Sequence, residues 1–116
     1  MNHTRWKLER ERKAAQGYSE AAEAESAEAA AERAEIRLAM AFAKAVYDRR
    51  KALGLSQAEL AARAGLTQAK ISRVEGADAV PTLPLLRRLA HALDASLNIA
   101  LGADHEEVVF VARPAA

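Results

Sequence analysis

Between Ser19 and Leu53 the chain runs for 35 residues without a glycine or a proline, and alanine and glutamate dominate the run. No other feature constrains the fold as much. Both residue types are strong helix formers and nothing inside the run breaks a helix, so one long helix is expected there, or two with a bend. In a chain of 116 residues this leaves room for one small core. The apolar content of 51% overstates that core, because 30 of the apolar residues are alanine and 29 are larger. Such a core suits a small helical domain and is too small for an enzyme that encloses its ligand. The chain has no cysteine. That excludes disulfides, a thiol nucleophile and Cys-ligated zinc, and it is compatible with a reducing compartment. No apolar run approaches the roughly 20 residues that span a bilayer, and the charged N-terminus lacks a signal-peptide core. A soluble, cytoplasmic protein without a membrane partner is expected.

The rest of the chain is punctuated by shorter signals. Residues 5–15 read as a short charged helix closed by Gln16–Gly17. The second half of the long helix carries two stripes at helical spacing. Leu38, Phe42, Val46, Arg50 and Leu53 form one; Ile36, Met40, Ala43 and Tyr47 form its neighbour. Two stripes suggest contact with two things. After Leu53-Gly54-Leu55, Ser56-Gln57-Ala58-Glu59 is a capping box that opens a helix through Ala64. Gly65-Leu66 turns the chain, Thr67 can cap a helix through Glu75, and a loop leads to a further helix near Leu83–Leu93. Beyond it the period changes from about 3.6 to 2. Leu97, Ile99 and Leu101 alternate with Ser96, Asn98 and Ala100, Gly102–Glu107 turns, and Val108–Ala112 is a second strand. These runs suit a hairpin or strands shared between two chains. The expected fold is mainly α: five helices and a short C-terminal β segment. It divides into an extension over 1–37, a helical domain over 38–94 and the β segment over 95–116.

Charge is segregated although the net charge is only +1. Residues 1–18 carry +3, 19–35 carry −5, 36–94 carry +5 and 95–116 carry −2. The basic block coincides with the capped short helices, which is where a polyanion would bind.

Two short helices joined by a tight turn, 57–64 and 67–75, are the parts of a helix-turn-helix. Ala61 is small where the two would cross, and Leu60, Ala64, Leu66, Ile71 and Val74 fall at inward spacings. With Ile71 and Val74 inward, Gln68, Ala69, Lys70 and Arg73 face out. A glutamine can pair with adenine, Arg or Lys with guanine, and Ala69 can touch a thymine methyl. Leu55-Ser56-Gln57-Ala58-Glu59-Leu60-Ala61 and Thr67-Gln68-Ala69-Lys70-Ile71-Ser72-Arg73-Val74-Glu75, extended by Pro81-Thr82 and Leu86-Arg87-Arg88-Leu89-Ala90, resemble the XRE family of phage-repressor-like helix-turn-helix proteins. The resemblance covers about residues 39–94. It implies a double-stranded operator, palindromic for a homodimer. It also implies that Gln57 braces Gln68 and touches a phosphate, and that Arg50 and Glu75 form a structural ion pair. Arg50 would otherwise be an unpartnered charge in an apolar stripe. The chain departs from the family pattern in one place. The glycine usual two residues past the glutamate is Ala77, and Asp78 follows where a basic residue is common. Phosphate contact then falls to the start of the helix after Ser56, to Thr67, and to Arg49, Lys51 or Arg87.

His3, His91 and His105 lie on separate elements, with no paired carboxylates and no phosphate-cradling glycine loop, so no enzyme, metal site or cofactor is expected. The N-terminal 37 residues go beyond what a bare repressor needs. Trp6 in a basic helix, Tyr18, and the acidic run Glu20, Glu23, Glu25, Glu28, Glu32 and Glu35 ahead of the helix-turn-helix resemble antitoxins of the HigA kind. That resemblance implies a small basic RNase toxin as second partner; residue type and charge make Trp6, Tyr18, Glu28, Met40 and Tyr47 the candidate contacts. The same aromatic residues could instead fold back, with Leu8, on the Ile36–Met40–Tyr47 stripe. A stand-alone phage-type repressor and a protein-bridging adaptor with the same fold are the alternatives. The adaptor is disfavoured by Gln57, Gln68, Lys70 and Arg73 occurring together.

Overall fold

The computed structural model describes the backbone of residues 5–114 and the side chains of residues 26–114. In chain order the elements are α1 (Arg5–Ala52), α2 (Gln57–Ala64), α3 (Gln68–Glu75), α4 (Leu83–Ala92), β1 (Ala95–Leu101) and β2 (Glu106–Ala112). Among the described residues, four helices stand where the sequence predicts five. The short charged helix and the long helix are one element, because α1 continues through Gln16–Gly17. A glycine inside a helix costs only about 1 kcal/mol relative to alanine, and strong helix formers on both sides outweigh it. The side chains of Trp6 and Tyr18 lie outside the described residues.

The chain divides into two units, Met1–Arg33 and Ala34–Ala116. In the first, the described side chains from Ser26 to Arg33 are exposed apart from the half-buried Ala29. The second contains the rest of α1, the other helices and the two strands. Its core is built from Val46, Leu60, Ile71, Leu89 and Leu93, all fully buried, with Ala61, Ala64, Val74 and Leu85 around them. The stripe through Phe42, Val46 and Arg50 is the buried face of α1. The neighbouring stripe is left open: Ile36 is 60% exposed, Met40 58% and Tyr47 46%, and only Ala43 is buried.

Each short helix is started by a hydroxyl and stopped by a left-handed residue. The Ser56, Thr67 and Thr82 oxygens accept from the amides of Glu59, Lys70 and Leu85 at 3.0, 3.1 and 3.3 Å. In the capping box of α2, the Glu59 carboxylate also accepts from the Ser56 amide at 3.1 Å. After α2, Gly65 at φ +66° lets Leu66 N–H reach the Ala61 carbonyl at 2.9 Å, which turns the chain sharply into α3.

The strands form a hairpin within one chain, antiparallel, with Ala95 opposite Ala112 and Leu101 opposite Glu106. Leu97 and Phe110 face each other on the core side, and Phe110 packs against the core. Val109 and Val111 lie opposite Asn98 and Ser96 on the other face. Leu97 and Ile99 therefore do not share an apolar face with Val109 and Val111. Directly opposite residues share a face, and this register sets the odd-numbered residues of β1 opposite the even-numbered residues of β2. Arg37 of α1 holds the start of β2 through Nε and Nη2 to the two Glu106 oxygens at 3.1 and 3.0 Å.

Candidate nucleic-acid interface

The Gly65 turn sets α2 and α3 against each other, with Ile71 and Val74 buried and the opposite face of α3 open. Gln68, Ala69, Lys70 and Arg73 are all exposed, as the periodicity requires. Ser72 is exposed on the same face. It is the one outward position that the sequence argument passed over, although the spacing of Ile71 and Val74 already implied it. Thr67 holds the start of α3 through its hydroxyl, so that oxygen is engaged with the Lys70 amide.

The orientation of α3 is locked from behind by a buried ion pair. Arg50 Nε and Nη2 donate to Glu75 Oε2 and Oε1, both at 2.7 Å, and both side chains are 6% exposed. Arg50 Nη1 donates to the Leu55 carbonyl at 2.7 Å, so the guanidinium joins the end of α1, the turn into α2 and the last residue of α3. The Glu75 carboxylate holds the guanidinium above its ordinary pKa, against the opposing effect of burial. A bidentate, charge-assisted pair of this kind fixes geometry as well as charge.

Gln57 takes a place the resemblance did not imply. Its Nε2 donates to Glu75 Oε1 at 3.4 Å, so in the free chain it supports the ion pair. The Glu75 carboxylate is almost fully buried within hydrogen-bond reach and offers a charged acceptor, whereas Gln68 is exposed. Arg49 is also engaged elsewhere. Its Nε and Nη2 donate to the carbonyls of Leu93 and Asp94 at 3.0 and 3.2 Å, tying α1 to the end of α4. The run of basic residues at the end of α1 carries no signal of this use. A helix C-terminus leaves carbonyls unpaired, and only the fold shows which arginine meets them. Lys51 is exposed, with Nζ 5.6 Å from the Tyr47 ring centroid, and Arg50 Cζ lies 5.3 Å from the same ring. Tyr47 thus sits among the cations at the end of α1. Met40 and Glu28 are exposed elsewhere on that helix.

The loop after α3 turns on a left-handed residue that is not glycine. Ala77 adopts φ +57°, the left-handed conformation for which glycine is the usual residue. Ala77 N–H reaches the Val74 carbonyl at 3.1 Å and Asp78 N–H the Arg73 carbonyl at 3.3 Å. Asp78 is exposed and lines a shallow groove with Lys70, Arg73, Pro81 and Thr82. Arg87 is exposed on α4, where it lines a second concave surface with Leu83, Pro84, Arg88 and His91.

A polar, partly cationic helix face held on a rigid two-helix unit is what entry into a major groove requires. A family model described as a helix-turn-helix domain matches residues 41–98, half of the chain. The chain belongs to the helix-turn-helix domain family. No curated protein and no solved structure matches it. The helix-turn-helix domain comprises the last turns of α1, α2, α3, α4 and the first half of β1, and residues 1–40 lie outside it. It is a DNA-binding domain, and DNA is the partner its family implies. Among the described residues, no helix is long and apolar enough to cross a membrane. No group of three or more His, Cys, Asp or Glu residues among them could hold a metal ion.

Proposed function

We propose that the protein is the antitoxin of a type II toxin–antitoxin pair. It represses its own operon by binding a palindromic operator as a twofold dimer, and it neutralises a small basic RNase by direct contact. The observation that carries the DNA-binding half is the exposed set Gln68, Ala69, Lys70 and Arg73 on α3, backed by the buried Arg50–Glu75 pair. In a twofold dimer the two α3 helices would lie about one DNA turn apart, roughly 34–36 Å, and read equivalent half-sites. Two features support the toxin-binding half. The stripe of Ile36, Met40 and Tyr47 is exposed on α1, and the exposed Glu28, Glu32 and Glu35 precede it on the same helix. Carboxylates speed encounter with a basic partner, and apolar and aromatic groups slow its release.

The two halves separate experimentally. Gln68→Ala costs discrimination at one base pair of the operator, about 1–3 kcal/mol, while binding to random DNA is preserved. Equal losses on operator and random DNA refute the recognition role. Co-expression with the product of the adjacent reading frame tests the other half. Neutralisation and co-purification are expected from the native chain, and both fall for Met40→Glu with operator binding unchanged. If the adjacent product does not kill when expressed alone, the chain is a stand-alone repressor.

A further inference from the structure

Hydrogen bonds at the two ends of the hairpin show which main-chain groups of β1 are already paired. Gly102 N–H donates to the His105 carbonyl at 2.7 Å beside the turn, and Arg113 N–H donates to the Asp94 carbonyl at 3.2 Å at the open end. Hydrogen-bonded and non-hydrogen-bonded pairs alternate along an antiparallel ladder. With Asn98 opposite Val109, the residues of β1 that bond to β2 are therefore Ser96, Asn98 and Ala100. The N–H and C=O groups of Leu97, Ile99 and Leu101 point the other way, along the outer edge of the strand. Among the described residues, no group outside the hairpin bonds to them.

That edge has none of the usual protection. Natural edge strands carry lysine, proline or other charge against pairing with a second chain. Ala95–Leu101 contains no charged residue, no proline and no glycine, whereas β2 opens with Glu106 and Glu107. Ile99 and Leu101 are exposed on it, Leu101 by 66%. A two-stranded sheet is also marginal by itself in water.

We propose that the outer edge of β1 is the interface between two copies of this chain, paired antiparallel about a twofold axis at Asn98, so that two hairpins make one four-stranded sheet. The inference rests on the dimeric reading of the operator given above, and it names the edge and the register. Centring the axis on Asn98 uses the whole strand, whereas centring it on Leu97 or Ile99 leaves residues overhanging at one end. It sets Leu97 against the partner's Ile99 and the exposed Leu101 against the partner's Ala95, a large side chain over a small one. These are the positions with outward main-chain groups, so up to about eight hydrogen bonds form, two for each hydrogen-bonded pair. No charge meets a like charge. The two Asn98 residues become a non-hydrogen-bonded pair with Cα atoms about 4.5 Å apart, within the span of a disulfide. The same axis relates the two α3 helices, as a palindrome requires.

The absence of cysteine makes a direct test available. Asn98→Cys provides a single thiol in the full chain, and mild oxidation is expected to convert it to a covalent dimer within minutes. Val109→Cys lies opposite Asn98 on β2, where the two copies would be about 14 Å apart from strand spacing alone, and it is expected to cross-link far more slowly. Ile99→Pro removes an outward N–H and spares those that close the hairpin. It is expected to be monomeric by light scattering with unchanged helical circular dichroism, and to lose the advantage of a palindrome over a single half-site. A native dimer in which Asn98→Cys fails to cross-link, or cross-links no faster than Val109→Cys, overturns the edge assignment and leaves the dimeric operator reading intact. A native chain that stays monomeric at all concentrations and still binds operator overturns both the edge and the dimer, while the recognition helix stands.

Discussion

At Ala77 a methyl group occupies the left-handed region because the turn after α3 needs it there. The conformation costs an L-residue about 1–2 kcal/mol, and here it is imposed by the two turn hydrogen bonds that end the helix. Ala77→Gly removes that strain but makes the unfolded chain more flexible, an opposing effect of about 0.4–1 kcal/mol. The expected outcome is a net stabilisation of up to about 1.5 kcal/mol, seen as a higher urea midpoint at unchanged slope. Removing Glu75 has the opposite sign. It strands the Arg50 guanidinium at a site where both partners are almost fully buried, and Glu75→Ala is expected to cost about 3–5 kcal/mol in the same measurement. Operator binding falls with it, because the end of α3 is then held by packing alone. Arg49→Ala should behave as a stability variant too, since its guanidinium satisfies the carbonyls of Leu93 and Asp94.

The start of α2 shows how an element depends on a local reciprocal contact. The Glu59 carboxylate accepts from the Ser56 amide, and that bond, with the one to the Ser56 side chain, holds its pKa below the ordinary carboxylate value. At the start of β2, hydrogen bonds from Arg37 lower Glu106 in the same way. A carboxyl whose pKa is lower folded than unfolded adds stability above the ordinary carboxylate range, and loses it as pH falls through the depressed value. Glu59→Gln and Glu106→Gln are therefore expected to lower the urea midpoint at neutral pH. Each difference from the native chain should close in acid as the carboxyls protonate. A difference that stays constant from neutral pH into acid contradicts the assignment. Both elements also show what was legible in advance. Ser56 and Glu59 stand three residues apart, and that spacing announces the cap. Arg37 and Glu106 are 69 residues apart, and nothing local connects them.

Across the whole molecule the charge pattern governs how the protein approaches DNA. The net charge of +1 gives little general attraction, and the +5 of residues 36–94 is the part that would attract a polyanion. Part of that charge is internally committed: Arg50 to Glu75 and Arg49 to the end of α4. Lys51 remains exposed at the end of α1. Lys51→Ala is expected to weaken operator and random DNA alike and to make the slope of log K against log salt shallower by about 1. Asp78→Asn should do the reverse, strengthening both, because it removes a carboxylate from the loop beside Lys70 and Arg73. A change confined to the operator would place either side chain at a base edge instead of a phosphate.

The features that the sequence determined by itself are those set by neighbours along the chain. Hydroxyl caps at Ser56 and Thr67, the turn glycine at 65, the inward pair Ile71 and Val74, and the change of period after Leu93 all act over a few residues. Their physics is the same in any context that leaves the helix or strand intact. That Arg50 needs a partner was legible for a related reason, since it is a charge in an apolar stripe, while Glu75 as that partner came from the resemblance. What only the tertiary structure decided are the matters in which distant groups compete. Gln57 turned to Glu75, Arg49 to the carbonyls of Leu93 and Asp94, and Val109 and Val111 to the face away from Leu97. In each case several partners were chemically acceptable. The choice followed from which buried donor or acceptor the packing brought within hydrogen-bond reach, or from a strand register that a shift of one residue would reverse.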